Sequence, residues 1–253
     1  MPREGLDKTA LALSLLGLLA LWWVVSLGAD PDVLPGPGEV WRILVGEAQS
    51  GVLWTHIGAT LLRVAAAFAL AMGVGLVIGL ALGSSERADR WFGAWVMVFL
   101  NVPALVVIVL CYLWIGLNEV AAIVAVAVNK TAMVAVTVRE GVRALDPAVA
   151  EMARAYRMSW AKRMVHVVLP QLWPFIAAAV RNGLAIIWKI VLVVEFLGRP
   201  NGVGFQIHLY FQLFEVGHVL AYALSFTAVM LVIEYGFVQA WERKVVRWRR
   251  VSA

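Results

Sequence analysis

DPAVAEMARAYRMSWAKRMVHVVLP, residues Asp146 to Pro170, is the best-organised polar stretch of an otherwise apolar chain. Its cations Arg154, Arg157, Lys162 and Arg163 are interleaved with apolar Ala150, Met152, Ala153 and Tyr156. Asp146 is suited to cap a helix that starts at Pro147, because a proline at the first helical position gives up no internal hydrogen bond. Glu151 lies early in that helix, the favourable end for an anion. Ser159 is placed to interrupt the segment or cap a second short helix, and Leu169-Pro170 turns the chain into the next apolar run. On physics alone the stretch fits an interfacial helix on anionic lipid, a helix seated in a groove of a cytoplasmic partner, or a solvated loop.

Outward from this stretch the composition is that of a membrane protein. The chain of 253 residues is 62% hydrophobic and only 15% charged, with mean hydropathy +0.85. Its 12 Trp and 21 Gly suit membrane helices. A single cysteine, Cys111, rules out an intramolecular disulfide and a cysteine metal cluster. His56, His166, His208 and His218 lack ligand spacing and read as interfacial polar residues, so no metal site is expected. The net charge of +5 gathers in short loops, which excludes nucleic acid as a partner.

Apolar runs near the ~20 residues that cross a bilayer place spans at 10–28, 60–82, 91–113, 120–138, 172–197 and 218–241. About six spans result, with five as the alternative. The first run follows Arg3 and Lys8 but has no clear cleavage site, so it reads as a retained helix. Residues 29–56 form an extracytoplasmic connection with a short interfacial helix over 39–50, 60–241 holds the core spans, and 242–253 is a basic tail. The whole of 1–253 reads as a single membrane domain. Gly75, Gly79 and Gly83 form a small-residue stripe that lets another helix approach, set against ordinary glycine enrichment of membrane helices. Pro103 is expected to kink the third span beside a transport path or to mark a packing irregularity.

With both termini on one side, that side receives Arg3, Lys8, Arg87, Arg90, Arg139, Arg143, Arg154, Arg157, Lys162, Arg163, Arg243, Lys244, Arg247, Arg249 and Arg250. The opposite loops receive Arg42 and Arg199. The bias puts the termini and the 146–170 loop in the cytoplasm. Ionisable residues inside spans usually face a cavity or a partner. Arg181 and Lys189 in the fifth span differ by about 80° around a helix, with Asn182 and Trp188 flanking them. Asn129 and Lys130 sit centrally in the fourth. Together with Arg63 they would give a path a positive potential suited to an anionic cargo. In the alternative reading Glu195 or Glu234 neutralises Lys189 or Lys130, and Arg181 snorkels.

The loop resembles the EAA loop of bacterial ABC-importer permeases. That pattern is Glu-Ala-Ala, a Gly four residues after the last Ala, and an apolar-Leu-Pro ending. Glu151, Ala153, Leu169 and Pro170 match it. Met152 replaces the first Ala, and Arg157 stands at the usual Gly, which removes a flexible turn residue and adds charge. Between Thr60 and Ile207 the chain is similar to the branch serving nitrate, sulfonate, taurine and related solutes. The matching pieces are Thr60-Leu61-Leu62-Arg63-Val64, Trp114-Ile115-Gly116-Leu117-Asn118-Glu119, Gly141-Val142-Arg143 leading to Asp146-Pro147, Glu195-Phe196-Leu197-Gly198, and Gly202-Val203-Gly204.

The resemblance implies an all-α polytopic membrane protein with the type I ABC-importer permease fold and a cytoplasmic coupling helix, in the bacterial cytoplasmic (inner) membrane. It implies a homodimer of permeases, two cytoplasmic ATPase subunits that carry ATP and Mg, and an extracytoplasmic substrate-binding protein. Glu151, Ala153, Tyr156, Arg157, Met158 and Ser159 would form the ATPase-docking surface, and Asn129, Lys130, Arg181, Asn182, Trp188 and Lys189 the translocation path. The chain carries no Gly-x-x-x-x-Gly-Lys loop, so no nucleotide chemistry, cofactor or catalytic residue is expected of it. The rival readings are a secondary transporter, for which six spans offer no obvious internal repeat, a membrane scaffold binding a cytosolic partner through the basic loop, and an intramembrane enzyme, for which no paired catalytic residues are visible.

Overall fold

Pro31, Pro35 and Pro37 prevent the first apolar helix from running into the next, and the chain reverses there. The computed structural model describes residues 4–238. The expectations on Arg3, the side chain of Lys8, residues 239–241 of the sixth span and the basic tail 242–253, with Arg243, Lys244, Arg247, Arg249 and Arg250, lie outside the described residues. Helix α1 (Glu4–Leu27) ends before an Asp30-centred turn, in which the Asp32 N–H donates to Asp30 Oδ1. It is tied back by Trp22, whose indole donates to the Pro35 carbonyl. Helix α2 (Pro37–Gln49) starts on a proline and carries Glu39 in its first turn. Gly51, at φ +82°, redirects the chain into α3 (Val52–Ser84).

At 33 residues α3 is about 50 Å long, well beyond the ~30 Å hydrocarbon core. It therefore begins eight residues earlier than the apolar run suggested. Ser85 caps α4 (Glu86–Asn101), which has Glu86 and Asp89 in its first turn. The expected third span is not one helix. Val102 is extended, Pro103 has no N–H, and α5 (Ala104–Ile115) leaves at 97° to α4. Asn118 caps α6 (Glu119–Arg143), accepting from the Ala121 N–H.

Asp146 caps α7 (Pro147–Ala155) through the Ala148 N–H, and Ser159 caps α8 (Trp160–Arg163). Next come a π-helical turn (Met164–Val168) and α9 (Leu169–Gly198). Pro170 is not the elbow expected of it. It sits in the first turn of α9, where its missing N–H is tolerated beside the π-helical turn, and Trp160–Gly198 runs on as one apolar helix of 39 residues. The elbow lies at 156–159. Helices α10 (Val203–Gln212) and α11 (Val216–Ile233) complete the order, the last extended by a π-helical turn, Glu234–Val238.

Among the described residues α3, α6, Trp160–Gly198 and Val216–Gly236 are each long and apolar enough to cross a membrane. The bent pair α4–α5 makes a fifth candidate, and the apolar part of α1, Ala12–Leu27, a further segment. The core lies between α3, α5, α6 and α9, around Ala67, Ile108, Ala125, Val126, Ile187 and Val194. A second cluster joins α3, α6 and α9 toward the loop end, and a third joins α3, α10 and α11 at the other end. Gly75, Gly79 and Gly83 of α3 lie on α6. A Cβ at each would sit 2.6, 2.6 and 2.5 Å from the Cβ of Val134, Val138 and Val142 respectively. Glycine is what lets these two backbones approach.

Candidate functional site

At the loop end, the sequence closes α7 with a specific backbone motif. The Met158 N–H donates to the Ala153 carbonyl and the Arg157 N–H to the Arg154 carbonyl, while Arg157 adopts φ +49°. This is a Schellman closure with arginine in the left-handed position that usually falls to glycine. The turn at the usual Gly position is thus kept in spite of the substitution. It buries Ala153 at 1% exposure and leaves Met158 half-buried. It also presents Tyr156, 76% exposed, next to exposed Glu151, Arg157 and Ser159. Trp160 and Met152 add further exposed apolar area. Behind the loop, Asp89 of α4 binds Arg143 at 2.5 Å and Arg139 at 3.1 Å, and Gln171 Oε1 accepts from the Asp146 N–H. The end of α6 that leads into the loop is thus tied to α4, and the loop itself to α9 through Gln171, with its aromatic and cationic side chains exposed.

The expected path residues divide. Asn129 and Lys130 on α6 are half-buried, and Arg181, Asn182 and Lys189 on α9 are exposed. Trp188 instead packs edge-on against Phe226 of α11 at 6.0 Å, between two core clusters, with Lys189 Nζ 5.5 Å from its ring centre. An apolar groove of about 270 Å3 between α3, α4 and α6, lined by Leu70, Val74, Phe99, Val128 and Ala135 among others, includes none of the charged span residues.

Arg63 does not lend its charge to a path. It is 5% exposed and saturated. Its Nε and Nη2 grip both oxygens of Glu119 at 2.8 and 2.7 Å. Its Nη1 meets Glu195 Oε1 at 2.6 Å and the Asn201 carbonyl at 3.0 Å, and Nη2 also donates to Asn201 Oδ1. All five guanidinium hydrogens are used. Glu195 is fully buried and pairs with Arg63 rather than with Lys189 or Lys130. Arg199 Nη2 binds Glu119 Oε1 at 2.6 Å, which leaves two cations balanced by two carboxylates.

The same junction fixes the turn before α10. Three successive backbone N–H groups end on side chains: Gly202 on His56 Nδ1 at 3.0 Å, Val203 on Thr60 Oγ1 at 2.8 Å, and Gly204 on Glu195 Oε2 at 2.9 Å. Because His56 Nδ1 accepts, its Nε2 must carry the proton. The Gln206 amide, 2.6 Å away, pairs with it only when turned to present its oxygen. A Cβ on Gly202 would enter the Glu195 carboxylate, and one on Gly204 the Leu192 carbonyl. This junction went unrecognised as a unit in the sequence, although its pieces are stretches quoted there for resemblance. The available signal was an arginine and a glutamate of opposite sign, each isolated in an apolar run.

Residues 71–247 match the sequence pattern of the family described as binding-protein-dependent transport system inner membrane component. The chain is 31% identical to a putative aliphatic sulfonates transport permease protein, SsuC, of Bacillus subtilis, over 92% of this chain and 84% of that one. It is 26% identical to the taurine transport system permease protein TauC of Escherichia coli, over 91% and 86%. It is 25% identical to the bicarbonate transport system permease protein CmpB of Synechococcus elongatus, over 94% and 91%. Among solved structures, an amino acid ABC transporter superposes with TM-score 0.65 at 22% identity, covering 80% of this chain and 98% of that one. The MetNI methionine ABC transporter superposes with TM-score 0.61 at 18% identity, covering 73% and 94%.

Proposed function

We propose, since this chain belongs to the binding-protein-dependent transport system inner membrane component family, that its α7–α8 loop is the surface on which a cytoplasmic ATPase docks. The chain is a multi-pass permease subunit of an ATP-driven importer, in the branch that includes the sulfonate, taurine and bicarbonate permeases named above. ATP and Mg belong to the partner ATPase subunits, and a binding protein delivers the cargo. The observation that carries the docking assignment is the closed turn at Arg157, which holds Tyr156 and Arg157 outward on a loop tied to α9 through Gln171, after an α6 end that Asp89 holds to α4. Glu151, Ala153, Met158 and Ser159 complete the surface.

In this reading two copies of the chain pair in the membrane, with termini and loop in the cytoplasm. The ATPase pair closes on ATP and draws the two α7 segments together. The movement enters the spans through α8 and α9 on one side and α6 on the other. Asn129, Lys130, Arg181, Asn182 and Lys189 give the path a positive lining, and the cargo is a small anion such as a sulfonate. Trp188 holds the path wall against α11 rather than touching the cargo.

The test is ATP hydrolysis by the reconstituted complex with its ATPase, comparing wild type with the double variant Glu151→Ala, Arg157→Glu. Loss of association or of coupled turnover in a correctly inserted double variant is expected. Wild-type association and turnover would overturn the assignment.

A further inference from the structure

We infer that Arg63 is a positioning residue of the transport cycle, which through Glu195, Glu119 and Asn201 fixes the Gly202–Val203–Gly204 turn to α3, α6 and α9 so that they move as one piece. The inference rests on the permease reading for its link to transport, while the clamp itself rests on geometry alone.

Three observations point the same way. First, the bonds converge from separate elements. Arg63 and Thr60 come from α3, Glu119 from the start of α6, Glu195 from the end of α9, and Asn201 from the connection that follows. A single guanidinium joins Glu119, Glu195 and Asn201, and Thr60 meets it through Glu195. Second, the turn has no slack. Its three N–H groups are each held by a different side chain, and the space above Gly202 and Gly204 is filled by Glu195 and Leu192. Third, the Arg63–Glu195 pair is sealed, with Arg63 5% and Glu195 0% exposed, while Glu119 and Asn201 close the joint from its exposed edge. Water cannot replace a partner that leaves, so separating the two strands a charge in a low-dielectric interior. A joint of this kind resists opening and favours rigid-body motion, which confines the movements of transport to other contacts. It also fixes where α10 begins relative to the spans that bear the path residues.

The clamp predicts a distance that stays constant while the rest of the molecule moves. Nitroxide labels at Val120→Cys and Phe211→Cys, in a Cys111→Ala background, report on the start of α6 and the end of α10, both exposed. They are measured in the reconstituted complex with its ATPase and binding protein, nucleotide-free and ATP-trapped. In wild type the distance is expected to be narrow and equal in both states. Thr60→Val removes the anchor for the Val203 N–H without altering size, and is expected to broaden the distribution and make it differ between states, while Thr60→Ser keeps the wild-type result. The apolar double variant Arg63→Met, Glu195→Leu is expected to do the same and to lower stimulation of ATP hydrolysis by the binding protein about ten-fold, with unstimulated hydrolysis kept.

A wild-type distance that changes on ATP trapping would overturn the clamp. So would a Thr60→Val protein with a narrow, unchanged distance and full stimulation. Should the double variant fail to insert, the Thr60→Val and Thr60→Ser pair decides alone. Failure of the wild-type chain to associate with an ATPase would count against the permease reading, and the nucleotide-free comparison of Thr60→Val with wild type would still decide the clamp.

Discussion

Arg157 shows how much one backbone angle can carry. A side chain in the left-handed region costs roughly 1–2 kcal/mol, and here that strain buries Ala153 and turns Tyr156 outward. Arg157→Gly is therefore expected to stabilise the loop by about 1 kcal/mol and, if the cation meets the ATPase, to weaken association. Thermal unfolding read beside co-purification separates the two effects, and a variant less stable than wild type would contradict the strain argument. Arg63 lies at the other extreme. Arg63→Ala leaves Glu195 buried without its cation, and a loss of about 3–5 kcal/mol is expected. Arg63→Lys should recover only part of it, because an ammonium offers three donors where five are engaged. Full recovery in thermal melts would show that charge alone matters. The individual residues of this junction stood in plain view in the sequence. Their meeting did not, because Arg63 is separated from Glu119 by 56 positions and from Asn201 by 138. Without its partners Arg63 read as part of a positive path.

For whole helices, composition located the apolar segments and missed their ends and bends. Hydropathy reports lipid contact, so it stopped at Thr60 while α3 begins at Val52, where polar neighbours hide a helix that is already packed on α2 and α10. Pro103 was visible as a disturbance, but the 97° between α4 and α5 follows from the extended Val102 and from what each half packs against. The glycine stripe was legible as a pattern, and its partner on α6 was not. Gly79→Ala puts a Cβ 2.7 Å from the Ala135 carbonyl and 2.6 Å from the Val138 Cβ, so neither helix can yield by a side-chain rotation. A destabilisation of about 1–3 kcal/mol is expected, with Gly73→Ala, which meets nothing within 4 Å and gains helix propensity, as the control that is not destabilised. Equal melting of the two variants would remove the close-approach argument.

For the molecule as a whole, the charge bias of the loops makes a prediction about sidedness. Cys111 is buried, so in a Cys111→Ala background single cysteines at Tyr156 and Phe214 give clean reporters. A membrane-impermeant maleimide is expected to label Phe214→Cys in intact cells and Tyr156→Cys only after permeabilisation. Labelling of both from outside would reverse or break the topology. The continuity of Trp160–Gly198 has a mechanical consequence. At 39 residues it is a rod of about 58 Å, nearly twice the hydrocarbon thickness. Its weak stretch, the π-helical turn with Pro170 and Pro174, lies wholly at the loop end. The stiff remainder past Pro174 is a lever arm of about 36 Å on a compliant handle, and a tilt of about 10° displaces one end against the other by roughly 6 Å. Leverage of this kind would carry a push at the loop end into a larger excursion at the Glu195 end, with the soft stretch between them yielding first.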